Sequence, residues 1–297
     1  MAYSPLANPT ATLETLGRFG LDAKYRLGQN FLIDDNVIGN IIRMAQLDGV
    51  EFAGDCVLEI GPGIGTLTVA LLDHASVVSV ERDRDLLPVL AETTAFNSDR
   101  FSLINADALK CTRADIEQAC AQIGAPLPTM LVANLPYAIA ATVILDWLER
   151  FDFLQSMVVM VQSEVADRIA AQMGTKDYGA YSIKLGMYAR TVDRFQVAPT
   201  CFHPAPRVES AVVRLERVQL DASPEVIRAA CEVADAAFAQ RRKNIRNSMK
   251  SKFETATIDE LLAQVGIAPT VRGETLSRDT YIEMGAALCS MRQDHEI

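Results

Sequence analysis

Apolar residues along this chain fall into two alternating rhythms. Short, nearly unbroken runs, "CVLEI" (56–60), "VVSVE" (77–81), "FSLINAD" (101–107), "TMLVAN" (129–134) and "MVVMVQ" (157–162), are separated by stretches such as "TLTVALLDHA" and "DLLPVLAETTA" whose apolar positions recur at helical spacing. Runs of four to seven residues bounded by turn signals read as buried strands, and their alternation with amphipathic segments indicates βαβ units, hence a mostly parallel sheet with helices on both faces. After the proline-rich "CFHPAPRVES" a further strand is expected at "AVVRLERV". The pattern changes near residue 218. Ser223 and Pro224 form an N-cap and first-turn signal, and Ile227, Cys231, Ala234 and Phe238 follow at helical spacing. The two expected domains are therefore residues 1–217, an α/β domain, and residues 218–297, a small helical one.

Composition narrows the class. With 297 residues and 49% hydrophobic content, the chain can bury a substantial core. The longest apolar stretch, Met130 to Leu145, is interrupted by Asn134, Pro136 and Thr142 and is too short for a membrane-spanning helix. No Lys or Arg precedes Arg18, so the start lacks the charge pattern of a secretory signal, and a cytoplasmic protein is expected. Six scattered cysteines without a CxxC pair, together with only three histidines, argue for reduced thiols and no metal site.

A net charge of −10 argues at first against a nucleic-acid partner. One segment departs from that average. "RRKNIRNSMKSK" carries Arg241, Arg242, Lys243, Arg246, Lys250 and Lys252 with no acid among them, leaving 22 basic against 38 acidic residues elsewhere. Charge runs are usually solvated faces, but six uncompensated cations on an acidic chain point to an anionic partner such as RNA, with Arg241, Arg242, Lys243 and Arg246 as the contacts.

Candidate chemistry collects at strand ends. In "VLEIGPGIGTLT" a strand runs into Gly61, Gly63 and Gly65, which permit a tight turn and close approach of backbone N–H groups to a ligand. Glu81 ends the next strand twenty residues after Gly61, where a carboxylate can bind two ribose hydroxyls. That spacing alone leaves NAD and S-adenosylmethionine both open, and GxGxG in place of GxGxxG favours the latter. Asp107, in "LINADAL", is either an acceptor for an adenine amino group or a helix N-cap. Gly61, Glu81, Asp107 and Asn134 each follow a successive strand, at the edge where open α/β sheets bind ligands.

The fourth strand runs into Asn134-Leu135-Pro136-Tyr137. Methylating an exocyclic amine requires its delocalised lone pair to be made available. The Asn134 side-chain oxygen and a backbone carbonyl at Leu135 or Pro136 can accept the two N–H hydrogens, and they stabilise positive charge developing on nitrogen. Pro136 fixes the backbone and restricts Leu135. Tyr137 offers a face on which an extruded base can stack, and Phe202 is the candidate for the opposite face, against the alternative of core filling.

These segments resemble the KsgA-type ribosomal RNA small-subunit adenine dimethyltransferases over nearly the whole chain. "RLGQNFLID" is similar to the family's N-terminal cofactor motif, "LEIGPGIGTLT" to its glycine loop, "NLPY" to its catalytic loop and "FHPAPRVESAVVRL" to its later signature; "FAQRRKNIRNSM" resembles the small-subunit enzymes more than the methylases of large-subunit RNA. The resemblance implies a Rossmann-like S-adenosylmethionine-dependent methyltransferase domain with a helical RNA-binding domain. It also implies transfer of four methyl groups to the N6 atoms of two adjacent adenosines near the 3′ end of small-subunit RNA. On the same ground the cofactor contacts fall on Asn30, Leu32, Gly61, Glu81, Asp107 and Asn134, with Gln29 nearby. Partners would be small-subunit RNA and its assembly intermediates, with the chain itself a monomer. Ala138 and Ala140 depart from the family, which commonly has Asn and a Ser or Thr there. Two alternatives stand beside this one: an assembly checkpoint acting mainly by binding, and an NAD-dependent or small-molecule enzyme, which leaves the basic run and "NLPY" unexplained.

Overall fold

The computed structural model describes residues 2–24, 28–47 and 55–295. Arg26 and Leu27, the first residues of the N-terminal motif, lie outside them. Contacts divide the chain into two compact units.

The first unit, residues 1–166 and 191–217, is built on a seven-stranded sheet. In chain order its elements begin with α1 (Pro9–Arg18), β1 (Phe31–Leu32), α2 (Asp35–Met44), β2 (Cys56–Ile60), α3 (Thr66–Leu72), β3 (Ser76–Glu81), α4 (Leu87–Thr93) and β4 (Phe101–Asn105). They continue with α5 (Arg113–Gln122), β5 (Met130–Asn134), α6 (Ala140–Arg150), β6 (Ser156–Gln162), α7 (Ser163–Ile169), β7 (Ala189–Val197), β8 (Phe202–His203) and β9 (Ser210–Arg217), while α8 (Ala180–Gly186), between α7 and β7 in the chain, falls in the second unit. The strand order is β4-β3-β2-β5-β6-β9-β7. From β4 through β6 all pairs are parallel, and β9 joins β6 antiparallel.

Burial explains the sequence rhythm. β2 and β3 are buried at every position, as central strands covered on both faces must be, whereas β4 at the sheet edge is only partly buried. The chain starts in the middle of the sheet with β2, moves outward through β3 and β4, then returns to the other side of β2 as β5. That reversal opens a crevice beyond the carboxyl ends of β2 and β5, the switch point where such sheets bind ligands. A separate two-stranded pairing joins β1 to β8, with Leu32 opposite Phe202 and Phe31 opposite His203.

The second unit comprises residues 167–190 and 218–297. Its helices include α9 (Pro224–Phe238), α10 (Ile245–Met249), α11 (Thr255–Val265) and α12 (Arg278–His295). Ser223 caps α9 by accepting from the Val226 amide, with Pro224 in the first turn as the sequence signal predicts. A single boundary after residue 217 does not describe the division. The segment containing α8 buries Tyr178, Ile183 and Met187 in one apolar core with Val233, Tyr281 and Met284, so it belongs to the helical unit although it lies inside the α/β portion of the sequence. Its apolar spacing cannot tell which of two cores it joins. Among the described residues no helix is long and apolar enough to cross a membrane.

Candidate active site

The crevice of the first unit is lined by Gln29, Asn30, Leu32, Gly61, Gly63, Glu81, Asp107, Asn134, Leu135, Pro136 and Tyr137, so the sheet topology brings all but one of the expected cofactor and catalytic residues to one place. Local chain geometry accounts for each.

After β2 the backbone enters the left-handed region at Gly61 (φ 67°) and Gly63 (φ 62°), where a side chain is strained. Space is tight as well. A Cβ on Gly63 would lie 3.3 Å from the Phe31 ring, and one on Gly61 would lie 3.5 Å from Pro136 Cδ, so the glycine loop packs directly on the proline of the "NLPY" turn.

Glu81 is buried at the end of β3. Burial pushes its carboxyl above the ordinary range, while the backbone amides of Asp83 and Gly63 pull the other way. Asp107 is engaged locally: one oxygen accepts from the Leu109 amide at 3.1 Å and the other faces Arg82 at 3.3 Å. It thus forms the local turn and still borders the crevice.

Gln29 is held at both ends of its amide. Its oxygen accepts from the Lys24 backbone at 2.8 Å and its nitrogen donates to Asp83 at 2.8 Å. Lys24 Nζ reaches the same Asp83 at 2.6 Å. Burial works to raise the Asp83 pKa, but the hydrogen bonds from Lys24 and Gln29 outweigh it and hold the carboxyl below its usual range. Gln29 therefore ties the N-terminal segment to the turn after β3.

Asn134 is oriented by an acceptor. Its Nδ2 donates to the Asn30 carbonyl at 3.2 Å, which leaves Oδ1 as the end of the amide free to receive hydrogens. The Pro136 carbonyl is already used, accepting from the amides of Ile139 and Ala140 at 3.1 Å each as α6 begins. Leu135 donates its own N–H to Met160 on β6 at 3.1 Å. Of the two carbonyls considered from sequence, that of Leu135 receives no hydrogen bond among the described residues. Tyr137 is half-buried, and its hydroxyl lies 2.5 Å from Ser210 Oγ.

Phe202 departs from expectation. It is 3% exposed, pairs with Leu32 and packs into the core with Val197 and Val212, away from the crevice lining. Its ring fills the interior and cannot form the second face of a base sandwich in this arrangement. Glu59 is a further crevice residue, one that the strand pattern does not single out. This fully buried acid accepts from Thr68 at 2.7 Å and Ser79 at 2.8 Å, and burial raises its pKa to about 7. A lone acid inside the apolar run "CVLEI" is the signal that points to it.

The basic run lies in the second unit. Arg241, Arg242 and Lys243 are exposed in the turn between α9 and α10, and Arg246 lies on α10. The charges are less isolated than the sequence suggests. Arg241 pairs with Glu274, Arg246 makes a two-pronged bond to Asp259, and Lys252 faces Asp235. Acids distant in sequence fold back onto the run, which corrects the expectation of six uncompensated cations. Arg242, Lys243 and Lys250 form no ion pair among the described residues. Among those residues there is also no cluster of His, Cys, Asp and Glu able to hold a metal.

A mostly parallel sheet with a switch-point crevice, a glycine loop after β2 and a polar turn after the neighbouring β5 is the architecture of a Rossmann-like methyltransferase fold. Solved structures agree on the fold: a dimethyladenosine transferase from Plasmodium falciparum (TM-score 0.69, 20% identity, 88% of this chain and 98% of that one) and the 23S rRNA methyltransferase ErmE (TM-score 0.59, 24% identity, 88% and 100%). Residues 20–288 match the family described as ribosomal RNA adenine dimethylase. Curated relatives include the ribosomal RNA small subunit methyltransferase A of Lachnoclostridium phytofermentans, 39% identical over 96% of this chain and 97% of that protein. The protein of the same name from Anoxybacillus flavithermus is 42% identical over 93% of each. The chain belongs to the ribosomal RNA adenine dimethylase family.

Proposed function

We propose that this enzyme transfers methyl groups from S-adenosylmethionine to N6 of two adjacent adenosines near the 3′ end of small-subunit ribosomal RNA, giving dimethyladenosines during ribosome assembly. The observation that carries the reading is the orientation of Asn134: its nitrogen is committed to the Asn30 carbonyl, so its oxygen is left as an acceptor in a crevice that Leu135 also lines.

The crevice suits the cofactor. It is lined by Glu81 and Asp107, acids compatible with a cationic sulfonium, and it includes Thr66, whose buried hydroxyl has no hydrogen-bond partner among the described residues. Glu81 would take the ribose hydroxyls, Asp107 the adenine amino group, and Gly61 and Gly63 would allow the backbone to approach closely, with Asn30 and Leu32 completing the wall. When bound, S-adenosylmethionine supplies an electrophilic methyl group.

The chain's own residues do the rest. In the first transfer Asn134 Oδ1 and the Leu135 carbonyl accept the two N6 hydrogens, draw the nitrogen lone pair out of the ring system and stabilise the charge that develops on it; in the second, the monomethylated nitrogen has one hydrogen left for one of them, and in each transfer N6 gives up one proton to solvent. Tyr137 stacks on the extruded base and returns about 1–3 kcal/mol of the few kcal/mol that unstacking costs. With Phe202 in the core, the remainder falls to the N6 hydrogen bonds, and to phosphate contacts by Arg242 and Lys243, helped by Arg241 and Arg246.

Incubation with labelled S-adenosylmethionine and unmethylated small subunits, followed by nucleoside analysis, tests the proposal. Label in N6,N6-dimethyladenosine near the 3′ end is expected. Label only elsewhere in the small-subunit RNA, or in no nucleoside, would refute it.

A further inference from the structure

The Tyr137 hydroxyl meets Ser210 Oγ at 2.5 Å. Ser210 is fully buried and opens β9, where it sits opposite Gln162 at the end of β6. β6 in turn pairs with β5 through Asn134, which lies opposite Met160. The serine is thus built into the three-strand frame that carries the proposed acceptor.

We propose that Ser210 is a positioning residue for base capture: it pins the Tyr137 ring by its hydroxyl, so that the stacking face and the Asn134 acceptor are held in one rigid frame before RNA arrives. A tyrosine side chain turns about two bonds, and a ring that rotates away from the crevice offers no face to a base. A half-buried phenol also needs a hydrogen-bond partner, and Ser210 supplies it. Burial raises the Tyr137 pKa above its ordinary value while the Ser210 bond works against that, so the phenol stays protonated at neutral pH and either hydroxyl can donate. Ser210 is not part of the crevice lining, so it acts through the ring. The inference rests on the assignment of Tyr137 as the stacking residue in adenine methylation.

The test is a double-mutant cycle on the full chain with Ser210→Ala, Tyr137→Phe and both together, measuring kcat and KM for small-subunit RNA and the Kd for S-adenosylmethionine. Each single change removes the same hydrogen bond. A loss of roughly five- to tenfold in kcat/KM is expected from each, consistent with one hydrogen bond, with the cofactor Kd unchanged and the double variant no worse than the poorer single one. A general loss of structure would instead add between the two changes and weaken cofactor binding. Full activity of Ser210→Ala, or losses that multiply in the double variant, overturns the proposal. Tyr137→Ala separates the two levels: if it loses activity while Ser210→Ala does not, only the positioning role fails. If Tyr137→Ala is fully active, the stacking assignment fails and the positioning role with it.

Discussion

The crevice and the basic turn assemble function in opposite ways. In the crevice, residues scattered from Gln29 to Tyr137 converge because parallel strands end on one edge, and several of their polar groups are already held by a neighbour: Gln29 by Asp83, Asn134 by Asn30, Tyr137 by Ser210. In the turn, residues contiguous in sequence stay exposed, and acids from distant segments quench half of them. The first region is specified by what each side chain's other end is holding; the second by which charges are left over. Sequence distance predicts neither.

The strongest way to break the comparison is Asn134→Ala, which removes the oriented acceptor. Methyl transfer should fall by a factor on the order of 10²–10³, the typical effect of deleting one preorganised polar group at a reacting centre. RNA affinity should change far less than the rate. Single-turnover assays with saturating RNA check it.

Next in size is Glu59→Gln. The carboxyl's ordinary pKa is near 4.5 and burial lifts it to about 7 in the folded chain, so between those values the folded state binds more protons than the unfolded one. Folding stability contributed by this group is therefore highest below pH 4.5, falls as pH rises, and levels off above 7, a change on the order of 3 kcal/mol. Glutamine keeps an oxygen for Thr68 and Ser79 without that cost. The variant should be more stable than the parent at about pH 8 and equal to it near pH 4, as urea titrations at both values would report; a gap of the same size at both pH values would rule out the buried acid.

The basic turn responds to salt. Replacing Arg242, Lys243 and Lys250 by Ala should flatten the dependence of RNA affinity on log salt by about 0.7–0.9 for each phosphate no longer neutralised. Arg246→Ala, which first has to give up Asp259, should flatten it less. Equal slopes would show that the intramolecular pairs open freely and that the leftover charges are no different from the paired ones. Smallest is Gln29→Ala. It loosens the tie between Lys24 and Asp83, and it should weaken cofactor binding by roughly tenfold or less, about the worth of one net hydrogen bond, with no change in salt slope.

Much of this was legible before folding. Burial on both faces writes itself as the nearly unbroken runs of β2, β3 and β6, and the glycines announce the turn because positive φ, together with the close approach of Phe31 at Gly63, disfavours a side chain. Ser223 and Pro224 marked the start of α9 through local hydrogen bonding alone. What stayed hidden depends on tertiary partners. The side chain of Phe202 carries no sign of whether it faces a cavity or the core, and nothing in the segment that forms α8 reveals which unit buries it. Asp83 looks like a solvated charge in "ERDRD" until Lys24 and Gln29 are brought against it. Likewise, the choice between the Leu135 and Pro136 carbonyls was open in sequence, and the start of α6 closes it by taking the latter.

The central claim is that one amide oxygen and one main-chain carbonyl hold the target amine. A crystal structure of the enzyme with S-adenosylhomocysteine and an adenosine-containing oligonucleotide measures this directly. The account predicts N6 within hydrogen-bonding distance of both Asn134 Oδ1 and the Leu135 carbonyl oxygen, with the base lying on Tyr137. An N6 group directed at the Pro136 carbonyl, or an Asn134 amide turned so that its oxygen faces Asn30, would contradict it.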